Sequence, residues 1–96
     1  MQNYIISPLA ETDLEQIWRY TAENWGIKQA DKYILEIEDR MKLVGNDPTK
    51  GKPSDDIRTG YFRLSASSHM LFYTVTDGAV IVRRVLHQSM SFDLHL

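Results

Sequence analysis

The dipeptide Asp77-Gly78 constrains this chain more than any other pair of residues. It stands between two apolar, β-branched runs, His69 to Thr76 and Ala79 to Leu86. Asp-Gly in that setting makes a two-residue hairpin turn, because both central residues take positive φ and these residue types tolerate it. The turn sets the register of an antiparallel pair. Thr76 faces Ala79, Tyr73 faces Val82, Phe72 faces Arg83, Leu71 faces Arg84 and His69 faces Leu86. Side chains alternate across a strand. One face then collects Met70, Phe72, Thr74, Ile81, Arg83 and Val85, and the other Leu71, Tyr73, Val75, Val80, Val82 and Arg84. Both faces are largely apolar. A face that nothing in the chain covers becomes a docking surface.

The cover for one face comes earlier. Tyr4-Ile5-Ile6 reads as a short strand. Ser7-Pro8 opens a helix, with serine as the cap and proline in the first turn. Ala10, Leu14, Ile17, Trp18, Thr21 and Trp25 recur at steps of three and four along one helical face. Gly26 ends that helix as a left-handed cap. A second helix begins near Lys28 with Ala30, Tyr33, Ile34, Ile37, Met41 and Val44 on its apolar face. Its outer face carries Glu36–Arg40 and Glu38–Lys42 at the favourable spacing of four with the acid first. Gly45-Asn46-Asp47-Pro48 stops it, and the two helices form an antiparallel hairpin. Residues 46–56 read as a polar loop, Ile57 to Ser65 as a strand weakened at Gly60. The expected class is α+β: an N-terminal strand, an antiparallel helical hairpin, then a three-stranded antiparallel meander.

A chain of 96 residues with 43% apolar and 25% charged content is expected to form one domain, spanning residues 1–96. It has no cysteine, which leaves no disulfide and no thiolate metal site and suits a reducing cytoplasm. The start, MQNYIISPLAE, lacks the basic, apolar and small-residue zones of a secretory signal. No apolar run approaches the ~20 residues that span a bilayer. Net charge is −2 and uneven: residues 1–49 carry five Lys/Arg against nine Asp/Glu, residues 50–96 six against four. An acidic chain is a poor generic nucleic-acid binder, because phosphate contacts supply most of that affinity.

Several marks occur in a telling order. Ser7-Pro8-Leu9-Ala10-Glu11-Thr12-Asp13-Leu14 follows the first strand, and Trp25-Gly26 breaks the helices. Asn46-Asp47-Pro48-x-x-Gly51-Lys52 precedes Ile57-Arg58-x-Gly60-Tyr61. Then come His69-Met70-Leu71-Phe72-Tyr73 and Val82-x-Arg84-Val85-Leu86-His87-Gln88-Ser89-Met90. With these marks the chain resembles the ParE/RelE toxin family along essentially its whole length. The Leu-His-x-Ser-Met ending looks like the ParE branch, although Ser91 follows where ParE relatives often carry Asp. The resemblance implies a RelE/ParE-like fold, the toxin of a type II toxin–antitoxin pair, a ParD-like antitoxin partner and DNA gyrase as the target. It implies no cofactor, no metal and no chemistry of its own.

The RelE branch, ribosome-dependent mRNA endonucleases, is the alternative. Its catalytic set would be Lys50, Lys52, Arg58 and Arg83 as phosphate-stabilising cations, with His87 as base. Against it stand the acidic net charge and Gln88, where that branch has arginine. A further alternative is a family member that binds an antitoxin without toxicity. On the ParE reading the expected gyrase-contact residues are Arg58, Arg83, His87, Ser89, Met90 and Phe92. The expected antitoxin-contact residues are Trp18, Trp25, Tyr33 and Tyr73; the first three also read as hairpin core. Arg84 is expected to pair with an acid from the helices or the loop, with Asp55 and Asp56 as named candidates. The register puts His69 and His87 on opposite faces, which argues against a metal site. Gly45 to Lys52 looks in part like a phosphate loop but has the wrong glycine spacing and Pro53 in place of Ser/Thr. Met90, Phe92, Leu94 and Leu96 alternate with polar residues, the pattern of an extended segment laid in a groove or along an edge.

Overall fold

A computed structural model describes residues 4–96; residues 1–3, the beginning of the stretch screened for a secretory signal, lie outside it. Helix α1 runs Pro8–Trp25 and α2 runs Ile27–Asn46. The Ser7 hydroxyl accepts from the Ala10 N–H at 3.2 Å, the cap expected of it. Gly26 alone separates the helices, at φ 95° and ψ 162°. Its φ is positive as expected, but ψ is extended rather than left-handed helical. Glycine bears this because it has no Cβ. Thirteen residues apart in sequence, the Trp18 indole N–H and Asp31 carboxylate meet at 2.9 Å and tie the helices together.

The sheet has five strands in the order β1-β5-β4-β3-β2: β1 Tyr4–Ile6, β2 Lys52–Pro53, β3 Phe62–Ala66, β4 His69–Thr76 and β5 Ala79–His87. β1 pairs parallel with β5, and the other pairs are antiparallel. The architecture is the α+β arrangement expected: helical hairpin on one face, antiparallel meander behind it. The core joins Ala10 and Ile17 of α1 and Ile37, Met41 and Val44 of α2 to Leu71, Tyr73, Val80, Val82 and Val85. Each large side chain buried there stabilises the fold by about 1.5–3 kcal/mol.

Three local expectations are corrected. The strand expected from Ile57 begins only at Phe62. Before it, the Ile57 and Arg58 amides both donate to the Ser54 carbonyl, and the Asp55 carboxylate accepts from Gly60 N–H, so residues 54–61 curl into turns. Part of the polar loop is itself structured, as a 3-10 turn at Pro48–Lys50 and as β2. Glu36 and Arg40 do not pair along the helix. Glu36 accepts from the Ser67 hydroxyl and Arg40 donates to the Ser65 carbonyl, which docks α2 on the β3–β4 turn.

The hairpin register holds only near the turn. Thr76 faces Ala79 and Tyr73 faces Val82, but Phe72 then faces Arg84, Leu71 faces Val85 and His69 faces His87. Arg83 is the extra residue of a β-bulge, which re-aims everything beyond it. Val85 therefore joins the core that Arg84 was expected to share.

The tail is not extended. Residues Phe92–His95 form a single-turn helix, α3. Phe92 packs edge-on against Phe72 with ring centroids 4.9 Å apart. Phe92 and Leu96, one turn apart, are half-buried while Leu94 is 78% exposed. A helix turn brings residues four apart together, and this outcompetes the period-two pattern. The sheet face expected to lie open is thus covered in part by the chain's own end.

Candidate partner-binding site

The site grows from an unfinished sheet edge. β1 ends at Ile6, opposite Val82, so the edge of β5 beyond Val82 has no strand partner. Unpaired backbone groups there must be satisfied by other means. The residues that follow β1 supply them. Ser7 N–H donates to the Val82 carbonyl at 3.0 Å, and the Ser7 hydroxyl donates to the Arg83 carbonyl at 3.0 Å. Asp13, in the second turn of α1, accepts the Val85 N–H at 3.0 Å.

Asp13 also holds Arg84. The Arg84 Nε and Nη2 donate to the two Asp13 carboxylate oxygens at 2.7 and 2.8 Å, the paired fork that gives arginine–carboxylate contacts their strength. The two side chains are only 19% and 9% exposed, and this is the one salt bridge among the described residues. The hydrogen bonds to Asp13 hold the Arg84 guanidinium above its already high pKa. Asp55 and Asp56, expected as partners of Arg84, are exposed and take no part. An acid from the helices was among the expected partners, but Asp13 itself was not singled out, although the signal was present: an acid set into the apolar stripe between Ala10 and Ile17.

Beyond this pair opens a groove of about 680 Å³ between α1, the start of α2 and the far ends of β4 and β5. Its floor includes Thr21, Val85 and Leu86, and its rim Tyr20 and Trp25, which are 66% and 71% exposed. Its inner wall holds Tyr33, His69 and His87. The Tyr33 hydroxyl accepts from Ser68 N–H at 3.1 Å and lies 2.7 Å from His69 Nδ1. Burial, and secondly the charge of His87, lower the His69 pKa to about 4, with Asp13 opposing. The His69 and His87 rings meet edge-on at 5.2 Å. The placement of these two residues on opposite faces is therefore overturned, and the bulge is the cause. No group of three His, Cys, Asp or Glu among the described residues is placed to hold a metal ion.

The expected antitoxin-contact residues divide. Trp25 and Tyr33 line the groove, Trp25 as an exposed rim rather than as hairpin core. Trp18 is half-buried and does not line it. Tyr73 is fully buried, so its assignment to partner contact is corrected. Its hydroxyl accepts from Gly51 N–H at 3.0 Å and donates to the Pro48 carbonyl at 2.7 Å, which anchors the 48–52 loop. Burial raises its pKa first of all, with the Gly51 N–H opposing.

The expected gyrase-contact residues divide too. Arg58 and Arg83 line a second pocket of about 370 Å³ beneath the tail, together with Tyr61, Ser7 and Leu96. Arg58 lies 5.3 Å from the Tyr61 ring centre and donates to the Leu96 backbone oxygen. Arg83 donates to the Thr74 hydroxyl at 3.0 Å. His87 and Met90 belong to the groove instead, with His87 Nδ1 2.7 Å from the Ser89 hydroxyl, and Phe92 lies on Phe72. Of the nuclease set, Arg58 and Arg83 share the tail pocket, His87 lines the groove, and Lys50 and Lys52 line neither. No single concavity gathers the five. Gln88 is used structurally. Its amide donates to the Ser67 and His69 carbonyls at 2.9 and 3.2 Å and so clips the start of the tail to the β3–β4 turn.

Comparison with known proteins agrees with this geometry. Residues 4–92 match the family model described as the ParE toxin of the type II toxin–antitoxin system parDE. Toxin ParE1 of Mycobacterium tuberculosis is 45% identical over 94 residues, covering 97% of this chain and 96% of that protein. Toxin ParE1 of Caulobacter vibrioides is 38% identical over 96 residues, covering 100% and 99%. Among solved structures, the chromosomal ParDE TA system from P. aeruginosa superposes with a TM-score of 0.80 at 19% identity, covering 91% of this chain and 96% of that one. The YoeB-YefM complex from Staphylococcus aureus shares the fold more distantly, with a TM-score of 0.58 at 22% identity over 92% and 98% of the two chains. With the family model matched over nearly the whole chain and relatives aligned over nearly their whole length, the chain belongs to the ParE toxin family of type II toxin–antitoxin systems.

Proposed function

We propose that this chain is a toxin that inhibits DNA gyrase by protein–protein contact and is neutralised by a ParD-like antitoxin. It acts as a single domain in the cytoplasm, without cofactor or catalysis. The observation that carries the partner reading is the open groove, about 680 Å³, with Tyr20 and Trp25 exposed on its rim. Large aromatic side chains left in water at a concave surface are typical anchors for a partner segment. A segment of the antitoxin that folds on binding would cover them. The structure of the P. aeruginosa ParDE system supports a partner of that kind. No helix among the described residues is long and apolar enough to cross a membrane.

The gyrase surface in this reading is the tail with Arg58 and Arg83 beside it. The nuclease alternative is disfavoured because no single concavity gathers its five residues. Purified protein added to gyrase with supercoiled DNA is expected to accumulate cleaved DNA. A parallel ribosome-programmed translation reaction is expected to leave its mRNA intact. Codon-positioned mRNA cleavage would overturn the choice of target.

A further inference from the structure

We propose that Asp13 positions the C-terminal tail through Arg84, so that a change made in the groove alters how the tail is held. Among the described residues, Arg84 is the one that lines both concavities, the groove and the pocket beneath the tail. Its guanidinium is divided between them. Nε and Nη2 are held by Asp13 on the groove side, at 2.7 and 2.8 Å. Nη1 donates to the His95 carbonyl of α3 at 2.7 Å. A planar guanidinium has its donors in a fixed fork, so turning the plane to suit one partner moves the donor offered to the other. The bulge at Arg83 makes this possible, since it turns Arg84 out of the core face that the regular register would give it.

Asp13 is committed on a third side as well, to the Val85 N–H. It is therefore a fixed post rather than a mobile counter-ion. Gln88 clips the start of the tail and Met90 lines the groove. The part beyond Met90 has two other fastenings, Phe92 on Phe72 and Arg58 on the Leu96 backbone oxygen, and neither touches the groove. Loss of the Arg84 link should loosen the tail without freeing it altogether. The consequence for function rests on the groove being the partner site: a partner that drew on Asp13 or Arg84 would change the tail from a distance, and by linkage the tail would change the affinity for that partner by the same factor.

The test needs neither gyrase nor antitoxin, so it fails or succeeds independently of the proposed function. The Leu94 and Leu96 amides donate within the tail, to the Ser91 and Phe92 carbonyls. Their hydrogen exchange, followed by NMR, reports tail opening, and the amides of β4 and β5 report the fold. Asp13→Asn keeps the size of the side chain but puts an amide N–H₂ or a neutral oxygen against the guanidinium. Arg84→Lys keeps the charge but has no fork with which to span both partners. Arg84→Lys should raise tail exchange roughly tenfold, the equivalent of about 1.4 kcal/mol, with exchange in β4 and β5 changed much less. Asp13→Asn should raise tail exchange as well, on top of a general rise from the weakened Val85 contact. Unchanged tail exchange in Arg84→Lys would overturn the proposal. So would tail and sheet exchange rising by the same factor, which would make the pair a general brace for the fold.

Discussion

Replacing Gly51 with alanine is the sharpest test of how the 48–52 loop is held. Gly51 has φ −85° and ψ 168°, a backbone any residue adopts, so conformational strain plays no part. On those grounds alone Gly→Ala would stabilise by about 0.4–1 kcal/mol, by reducing the freedom of the unfolded chain. The obstacle is space. A Cβ would fall on the Tyr73 hydroxyl, 2.8 Å from its Cε1 and 2.9 Å from the Arg63 carbonyl oxygen. Tyr73 is fully buried and cannot swing away without opening the core. Overpacking of this kind costs about 1–3 kcal/mol. Displacing the hydroxyl would also sever its hydrogen bonds to Gly51 and Pro48, worth roughly 1 kcal/mol each. The expected net loss is about 2–4 kcal/mol, or about 10–30 °C in melting temperature for a domain of this size. Tyr73→Phe alone should cost about 1–2 kcal/mol, because it leaves the Gly51 N–H and Pro48 carbonyl without that partner. In the double variant the worst overlap is gone, so the two losses should fall short of adding by about 1 kcal/mol or more. Urea unfolding of the four proteins, compared by midpoint at constant slope, measures all of this. A Gly51→Ala protein as stable as the parent, or strictly additive losses, would refute the steric argument.

Three further outcomes are expected. Asp13→Ala should destabilise by about 2–4 kcal/mol in the same assay, since it strands a mostly buried guanidinium and an N–H at the sheet edge; a loss below about 0.5 kcal/mol, the size of an ordinary surface change, would contradict the pairing. His69 has a folded pKa of about 4 against an ordinary 6.5, so the unfolded chain takes up that proton first. Its contribution to stability is complete above pH 6.5, declines as pH falls towards about 4 and then levels off. His69→Asn should flatten the wild-type dependence in that window, and an unchanged slope would show that His69 is not its source. Deleting residues 89–96 should abolish gyrase poisoning while the core still melts cooperatively, with some stability lost because Phe72 is uncovered; a truncated protein that poisons gyrase as before would remove the tail from the target surface.

The elements legible in the amino-acid sequence are those whose signals lie within a few residues of each other. Asp77 and Gly78 take φ of 51° and 76°, as the hairpin turn requires, and β4 begins and ends where its apolar run does. Ser7 caps α1 through an N–H three residues away, and the helical stripes found their core. Such interactions close short loops and need no knowledge of the rest of the chain. What lay beyond reach was whatever depended on distant neighbours. The Arg83 bulge shifts the register only six residues from a correctly read turn, and from it follow the His69–His87 contact and the outward turn of Arg84. Asp13 is marked in sequence by its place in an apolar stripe, but only the fold brings it to an Arg84 that lies 71 positions away and to a strand edge that β1 is too short to cover. The tail shows the same division. Its alternating apolar residues announced that it would be buried against something, but helix or strand was decided by the shape of the surface around Phe72. Local sequence sets which conformations are open to a segment, and the packing partner selects among them, because burial of a single side chain outweighs the small differences in local propensity.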